Sequence, residues 1–179
     1  MEFKLTSLSG LVEIIPQLYH DERGFFFESY SQRIFTENGI SDVFVQDNHS
    51  FSSKGVLRGL HYQNPPFGQG KLVRAVTGKV MDVVVDIRRN SPTFGQHAKF
   101  VLEAERGNML YVPVGFAHGF VALEDAVFAY KCTGFYEKSA EGGIIWNDPE
   151  LDIDWGIQHP IVSAKDQQLL SFKDCVNGF

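Results

Sequence analysis

The segment from Gly55 to Gln63 carries the residue types best suited to chemistry in this sequence. Arg58 supplies a permanent cation, and His61 can take up or release a proton near neutral pH. In a regular strand these two side chains point to opposite faces, so a shared site requires a bulge, which Gly59 permits. We therefore predict a bulge here. The residue types alone leave a second interpretation open, in which His61 is an ordinary hydrogen-bonded strand residue.

A second segment, from Gly107 to His118, has the form G-x5-P-x-G-x2-H. It resembles the second motif of the cupin superfamily, whose fold is an antiparallel double-stranded β-helix. The first cupin motif, G-x5-H-x-H followed by Glu, is matched only at Gly55 and His61, because Gln63 replaces the second His and no Glu follows at the expected distance. A metal site needs several converging His or carboxylate ligands. These replacements predict a cupin barrel without a metal.

Five short motifs together resemble the dTDP-4-dehydrorhamnose 3,5-epimerase family, and the resemblance runs from about Arg23 to Asp166. The motifs are Arg23–Glu28, Gln46–Ser50, Arg58–Gln63, Pro113–Phe120 and Tyr130–Thr133. The resemblance implies an isomerase of dTDP-L-rhamnose biosynthesis. Such an enzyme inverts C3 and C5 of dTDP-4-dehydro-6-deoxyglucose to give dTDP-4-dehydro-L-rhamnose.

The implied reaction fits these residue types. Both carbons flank the C4 ketone, so a base can remove a proton while a cation stabilises the enolate and an acid protonates the opposite face of the ring. We expect neither a metal nor an organic cofactor.

The resemblance assigns four catalytic roles. His61 is the general base, Asp166 orients it, Tyr130 is the acid on the other face, and Lys71 lies near the C4 oxygen. The residues alone allow simpler roles: Asp166 would cap a helix that begins near Ser163, Tyr130 would pack within a strand, and Lys71 would be solvated.

The resemblance also implies a set of substrate-binding residues. They are Arg23, Phe26, Glu28, Gln46, Asn48, Arg58, His118, Tyr136, Glu141 and Lys165. Arg23 and Arg58 are implied to hold the diphosphate, and Tyr136 to stack on the thymine ring. For Glu28, Gln46 and Asn48 the alternative is simply the polar face of a strand.

Three other functions stay open at this stage. One is an epimerase of the same fold that inverts only C3 or only C5 of another deoxysugar precursor. The second is a metal-dependent cupin enzyme, and the third is a module that binds a sugar nucleotide without converting it.

The elements that must position these residues are mostly strands. Lys79–Ile87 is the clearest, with apolar side chains on one face and Asp82 and Asp86 on the other. A tight turn at Thr77–Gly78 is predicted to separate it from the strand Leu72–Val76. Further predicted strands are Leu11–Ile15, Gly24–Tyr30, Val43–Ser50, Val56–Gln63, His97–Glu103, Asn108–Val112, Gly119–Leu123 and Val127–Thr133.

Two short helices complete the prediction, one over Ser31–Asn38, which Gly39 ends, and one after Ser163. We therefore predict a mainly β fold, a cupin-type antiparallel jelly-roll barrel with a few short helices, as a single domain over residues 1–179.

Composition limits the partners. The net charge of −6 argues against a protein that binds long nucleic acid, although a few focused cations can still bind a small phosphorylated ligand. Cys132 and Cys175 are predicted to be free thiols of a reduced cytoplasmic protein. No apolar run reaches the roughly 20 residues that span a bilayer, so no membrane partner is expected. The family resemblance implies a homodimer, built by packing or exchanging sheet edges.

Overall fold

The computed structural model describes residues 1–175 and 177–179, and strands dominate this part of the chain. The strands are β1 (Glu2–Leu5), β2 (Val12–Ile15), β3 (Tyr19–Asp21), β4 (Gly24–Phe26), β5 (Gln46–Ser52), β6 (Val56–Gln63), β7 (Lys71–Thr77), β8 (Lys79–Asp86), β9 (His97–Glu103), β10 (Met109–Val112), β11 (Phe116–Ala122), β12 (Ala126–Cys132), β13 (Glu141–Gly143) and β14 (Ile161–Val162). The helices are α1 (Gln32–Glu37) and two 3-10 helices, Lys138–Ala140 and Asp166–Gln168.

The strands form two large sheets. The first sheet has the order β1-β2-β10-β7-β12-β5, and the second has the order β13-β6-β11-β8-β9. Pairing is antiparallel throughout both orders, while β14 adds to β6 in parallel. Strands β3 and β4 form a separate hairpin. This arrangement confirms the predicted mainly β, antiparallel barrel.

An apolar core fills the space between the two sheets. Val73 and Phe128 come from the first sheet, and Val84 and Phe120 from the second. The rings of Phe120 and Phe128 lie with their centroids 4.4 Å apart. Because aromatic rings bury large apolar areas, this contact between strands of opposite sheets stabilises the face-to-face packing of the two sheets.

The second sheet is also covered on its outer face. Val83 and Val85 of β8 pack there against Trp155 and Phe172 of the C-terminal segment. All seven residues of β11 are buried. Strands that are buried on both faces hold their side chains in fixed positions, which is what a site between the sheets requires.

The first sheet is covered on its outer face by α1, and Phe35 of this helix packs against Ile14 and Met109. The helix agrees with the predicted one, although the Ser31 side chain makes no capping hydrogen bond. The structure contains no helix long and apolar enough to cross a membrane among the residues that it describes. Cys132 and Cys175 are buried free thiols, as predicted.

Two local predictions were wrong in form. The strand predicted over Gly24–Tyr30 ends at Phe26, and the helix expected after Ser163 is only a three-residue 3-10 helix. The predicted turn at Thr77–Gly78 is present, and it joins strands of different sheets. Glycine suits this turn because a Cβ at Gly78 would lie 2.2 Å from the carbonyl oxygen of Asp125. Short strands with weak patterns, β1, β3, β13 and β14, were missed.

Asp86, at the end of β8, gives the fold a testable pH dependence. Its carboxylate accepts five hydrogen bonds, from Arg88, Ser91 and Thr93. Burial by itself raises the pKa of Asp86, but these hydrogen bonds outweigh it and lower the pKa to about 2.

Asp86→Asn should therefore lower the free energy of unfolding by about 2 kcal/mol at neutral pH, because the folded pKa lies below the unfolded value of ~3.9. This stabilisation is complete above the unfolded pKa and is lost as the pH falls through the folded pKa. The difference between wild type and variant should consequently shrink from about pH 4 towards about pH 2. Urea unfolding over this range measures it, and a constant difference would contradict the assignment.

Candidate active site

A cavity of about 500 Å³ opens between the sheets and gathers residues from six strands and the segment after β14. Its lining includes Arg58 and His61 of β6, Lys71 of β7, His118 of β11, Tyr130 of β12, and Lys165 and Asp166 after β14. The structure thus brings together all four residues that were assigned catalytic roles and three of those assigned to substrate binding.

The predicted bulge in β6 is present and explains how Arg58 and His61 share this cavity. In the pairing of β6 with β11, His61 lies opposite His118 and Arg58 lies opposite Phe120, so β6 has one residue more than its partner. Gly59 sits inside the bulge with a φ of +128°. A Cβ at Gly59 would lie 2.6 Å from the Cα of Gly119, so the two backbones can approach only without a side chain at this position.

Asp166, in the segment after β14, contacts His61 through its carboxylate. One carboxylate oxygen lies 2.8 Å from His61 Nε2, and the other accepts the Gly59 backbone N–H at 3.2 Å. The side chain of His61 is about one-third exposed at 32%, whereas that of Asp166 is buried at 6%. The carboxylate therefore fixes both the orientation of the imidazole and the backbone of the bulge.

The contacts of Asp166 bear on both interpretations of this residue. Its backbone N–H donates to Ser163 Oγ at 3.1 Å, which is half of a capping box, while its carboxylate turns towards His61. Burial raises the pKa of Asp166, but the hydrogen bond and charge of His61, the Gly59 N–H and Lys165 outweigh it, so that the pKa is lowered. The group is an anion at neutral pH and can support a protonated imidazole.

Lys71 lies in the cavity wall and is not a solvated lysine. Burial lowers the pKa of Lys71, while attraction to Cys132, Asp82 and Glu141 opposes this effect. An ammonium that is removed from water in this way acts strongly on nearby charge, because little solvent screens it.

Tyr130 lines the cavity from the first sheet, whereas His61 lines it from the second. Burial raises the pKa of Tyr130, with Cys132 adding to this effect and Arg58 opposing it. The phenol therefore stays protonated at neutral pH and is available as a proton donor. The site presents a base and an acid from opposite walls.

Arg58 is held at the side of the cavity by the edge strand β5. Its Nε donates to Ser52 Oγ at 2.9 Å and its guanidinium also donates to the Phe51 carbonyl at 3.0 Å. These bonds leave further N–H groups of the guanidinium for an anionic ligand.

A second cavity of about 310 Å³ adjoins the first and is also lined by His61, Lys71 and Tyr130. Four more of the predicted binding residues meet there or at its rim. They are Gln46, Asn48, Tyr136 and Glu141.

Hydrogen bonds organise this second cavity. Glu141 accepts from Lys165 Nζ at 2.6 Å and from the Tyr136 hydroxyl at 3.2 Å, and Gln46 accepts the Tyr136 backbone N–H at 3.1 Å. The side chain of Gln46 donates in turn to Asn48 at 3.1 Å. The residue Tyr136 remains 54% exposed, which leaves it open for stacking.

Three predicted binding residues lie apart from these cavities within one chain. Arg23 and Phe26 belong to the exposed hairpin β3–β4, and Glu28 follows it. Arg23 forms an ion pair with Asp21 at 2.5 Å. The role assigned to these residues stays a prediction.

Asp82 is a residue of the site that the sequence reasoning missed. It is fully buried, and its carboxylate lies 2.7 Å from Nε2 of the cavity residue His118. The available signal was its place between Val80 and Val84, since an acid on an otherwise apolar face of a central strand needs an explanation. Across residues 1–175 and 177–179, the structure has no group of three or more His, Cys, Asp or Glu side chains arranged to hold a metal.

Comparison with known proteins gives one consistent family. A family model described as dTDP-4-dehydrorhamnose 3,5-epimerase matches residues 5–174. A protein of that name from Pseudomonas aeruginosa is 56% identical over 162 residues, which cover 89% of each chain.

Solved structures agree with the sequence match. The Legionella pneumophila dTDP-6-deoxy-D-glucose-3,5-epimerase, in complex with dTDP-4-keto-L-rhamnose, is 46% identical, with a TM-score of 0.93 and coverage of 97% of this chain and 93% of that one. A 3'-monoepimerase from Streptomyces bikiniensis, in complex with dTDP-quinovose, is 32% identical, with a TM-score of 0.89 and coverage of 94% of this chain and 86% of that one.

The close approach at Gly59 predicts a large effect of adding one methyl group. Gly59→Ala would place a Cβ against the backbone of Gly119 at an unfavourable φ, and we expect a loss of about 3 kcal/mol or more of stability. Gly39→Ala is the matched control, because Gly39 also has a positive φ but has nothing within 4 Å of the added Cβ. The control should cost about 1–2 kcal/mol. Denaturant unfolding of both variants measures the difference, and equal losses would show that contact with Gly119 is unimportant.

Proposed function

The chain belongs to the dTDP-4-dehydrorhamnose 3,5-epimerase family, and on this basis we propose that it converts dTDP-4-dehydro-6-deoxyglucose to dTDP-4-dehydro-L-rhamnose in dTDP-L-rhamnose biosynthesis. The observation that carries this proposal is the arrangement of one cavity, in which the His61–Asp166 pair and Tyr130 belong to opposite walls and Lys71 lines the same space.

The reaction begins with removal of a proton next to the ketone. His61 takes the proton from C3 or C5, and the electron pair of the broken C–H bond moves to form a C=C bond and an enolate oxygen at C4. The imidazolium that results is stabilised by the carboxylate of Asp166, 2.8 Å away. Since this carboxylate also binds the backbone of the bulge, the base does not have to reorient during the step.

Lys71 stabilises the negative charge on the C4 oxygen. Its partial burial, which lowers the pKa of Lys71, makes it a stronger electrostatic partner than a lysine at the surface. A proton α to a ketone is only weakly acidic, so this contribution decides whether the enolate is accessible at neutral pH.

Tyr130 completes the inversion by protonating the carbon from the other side. Its phenol donates its proton, the C=C bond becomes a C–H bond of opposite configuration, and the C4 ketone is restored. Solvent then returns a proton to Tyr130 and accepts one from His61. The raised pKa of Tyr130, caused mainly by burial, ensures that the residue carries the proton before the step.

Polar residues that line the two cavities bind the substrate. Arg58 binds the diphosphate through its free N–H groups, and the exposed ring of Tyr136 stacks on thymine. The other ligands are Gln46, Asn48, His118, Glu141 and Lys165.

We also propose a homodimer in which the hairpin β3–β4 of each chain completes the site of its partner. The aromatic side chains Tyr19, Phe25 and Phe26 of this hairpin are 53–69% exposed, which is unusual for large apolar groups unless a partner covers them. This arrangement gives Arg23, Phe26 and Glu28 access to a substrate that they cannot reach in their own chain. The two reduced thiols, Cys132 and Cys175, support a cytoplasmic location.

A C3-only epimerase is the second candidate function. The 3'-monoepimerase from Streptomyces bikiniensis shares the fold at a TM-score of 0.89, so the architecture is compatible with inversion of a single carbon. The difference lies in how the sugar ring is placed relative to base and acid.

Incubation with dTDP-4-dehydro-6-deoxyglucose in D2O tests the reaction. We expect deuterium at both C3 and C5, observed by NMR and mass spectrometry, and label at one carbon only would refute the double epimerase.

His61→Ala should abolish exchange and lower kcat by about 10³-fold or more. Tyr130→Phe should retain exchange on the His61 side and impair inversion. Equal loss of exchange and inversion in the Tyr130 variant would contradict the assigned division between base and acid.

Mixed dimers test whether Arg23 acts on the partner's site. Arg23→Ala should raise KM in a homodimer, and His61→Ala should be inactive. A dimer of one Arg23→Ala chain and one His61→Ala chain, purified through two different tags, contains one intact site if Arg23 acts in trans. We expect it to show the wild-type KM and about half of the wild-type kcat per dimer. A mixed dimer that keeps the raised KM would place Arg23 in the site of its own chain.

A further inference from the structure

Asp82 has a buried carboxylate that local structure does not satisfy. Oδ2 lies 2.7 Å from His118 Nε2, but Oδ1 is buried and has no hydrogen-bond partner in the described part of the chain. A buried carboxylate oxygen without a partner is costly, so its presence needs a reason.

Asp86 shows what a structural carboxylate on the same strand looks like. It lies four residues further on the same face of β8 and is equally buried. Both of its oxygens are satisfied, by hydrogen bonds from Arg88, Ser91 and Thr93. The same strand therefore holds one carboxylate, that of Asp86, whose two oxygens both accept hydrogen bonds. The carboxylate of Asp82 makes one hydrogen bond among the described residues, and its partner belongs to the active-site cavity.

The surroundings of Asp82 point to two cavity residues. His118 lines the cavity and is the hydrogen-bond partner of Asp82. The His118 ring makes no other hydrogen bond within residues 1–175 and 177–179. Lys71 also lines the cavity. Burial raises the pKa of Asp82, whereas the hydrogen bond and charge of His118 and the charge of Lys71 oppose this effect and favour the carboxylate. The neighbouring side chains on this face of β8, Val80 and Val84, are apolar core residues, so little screens these charges.

We propose that Asp82 is a positioning residue for the epimerase reaction: one carboxylate oxygen orients the His118 ring towards the sugar, and the charge of the carboxylate holds the Lys71 ammonium beside the C4 oxygen. The inference rests on the proposed function, because it concerns the same cavity. Asp82 does not touch the substrate and acts through His118 and Lys71. Without it, the Lys71 ammonium would lose one of the two carboxylates that attract it, Asp82 and Glu141, and would be held less firmly in the cavity.

Asp82→Asn is the decisive variant, because asparagine can still accept the His118 N–H but carries no charge. We expect kcat to fall by about 10²-fold with KM within about 3-fold of wild type, since the loss affects the enolate more than the bound substrate. Affinity for dTDP, measured by calorimetry, should be unchanged because dTDP lacks the 4-keto hexose on which His118 and Lys71 are proposed to act. Asp82→Ala, which also removes the acceptor for His118, should lose more activity than Asp82→Asn.

Two further variants show how Asp82 acts. In a Lys71→Ala background, Asp82→Asn should reduce kcat by no more than about 3-fold. The Lys71 ammonium, on which the Asp82 charge acts, is already absent there, and asparagine can still accept from His118. Asp86→Asn is the matched control for a buried charge removed from β8. It should lower the unfolding temperature while kcat stays within about 2-fold of wild type.

Several results would overturn the inference. A wild-type kcat in Asp82→Asn would be one, and a roughly 10²-fold further fall in kcat when Asp82→Asn is added to Lys71→Ala would be another. Loss of dTDP affinity or of the folded state in Asp82→Asn would assign Asp82 a structural role instead. Wild-type protein that is assayed in parallel separates this failure from that of the proposed function. An inactive wild type refutes the function, whereas an active wild type with an unaffected Asp82→Asn variant refutes only the positioning role.

Discussion

The site depends on the hydrogen bonds of the Asp166 carboxylate, because they tie His61, the proposed general base, to the backbone that carries it. One oxygen binds His61 and the other binds the N–H of Gly59, so a single buried anion fixes both a side chain and a bulge. The bulge in turn gives β6 one extra residue and lets Arg58 and His61 face the same cavity. The contact of Gly59 with Gly119 makes this arrangement sensitive to any added side chain.

The two-sheet architecture supplies the second requirement of an inverting enzyme, which is access to both faces of the sugar ring. His61 belongs to the second sheet and Tyr130 to the first, and the core between the sheets sets their separation. Cofactor-free epimerisation depends on this opposition, because one group must remove a proton from one face while another delivers a proton to the other. Rigid strands are well suited to hold such a pair, since a small displacement lowers the rate strongly.

Charge is distributed unevenly between surface and cavity. The chain carries a net charge of −6, yet Arg58, Lys71 and Lys165 line the cavity that binds an anionic nucleotide. Buried or hydrogen-bonded acids stabilise these cations locally: Glu141 holds Lys165, and Asp82 attracts Lys71. Global charge therefore excludes a polyanion as partner, while the local arrangement of charges favours a small dianion.

The sequence by itself determined the mainly β class, most strand positions and the residues that could do chemistry. The bulge at Gly59 was predictable because strand alternation puts Arg58 and His61 on opposite faces. The glycine between them permits a bulge that turns both side chains to the same face. Roles that depend on the motifs, such as those of Tyr130 and Lys71, came from family resemblance and not from periodicity.

Only the tertiary structure decided which distant residues meet. Asp166 and His61 are more than a hundred residues apart in the sequence, and no local pattern predicts that their side chains form a hydrogen bond. The same holds for Asp82, since alternation assigned it to a polar face and only the tertiary structure placed its carboxylate against His118, a residue of the cavity. Local patterns record local conformations, whereas contacts between remote segments follow from how the sheets pack.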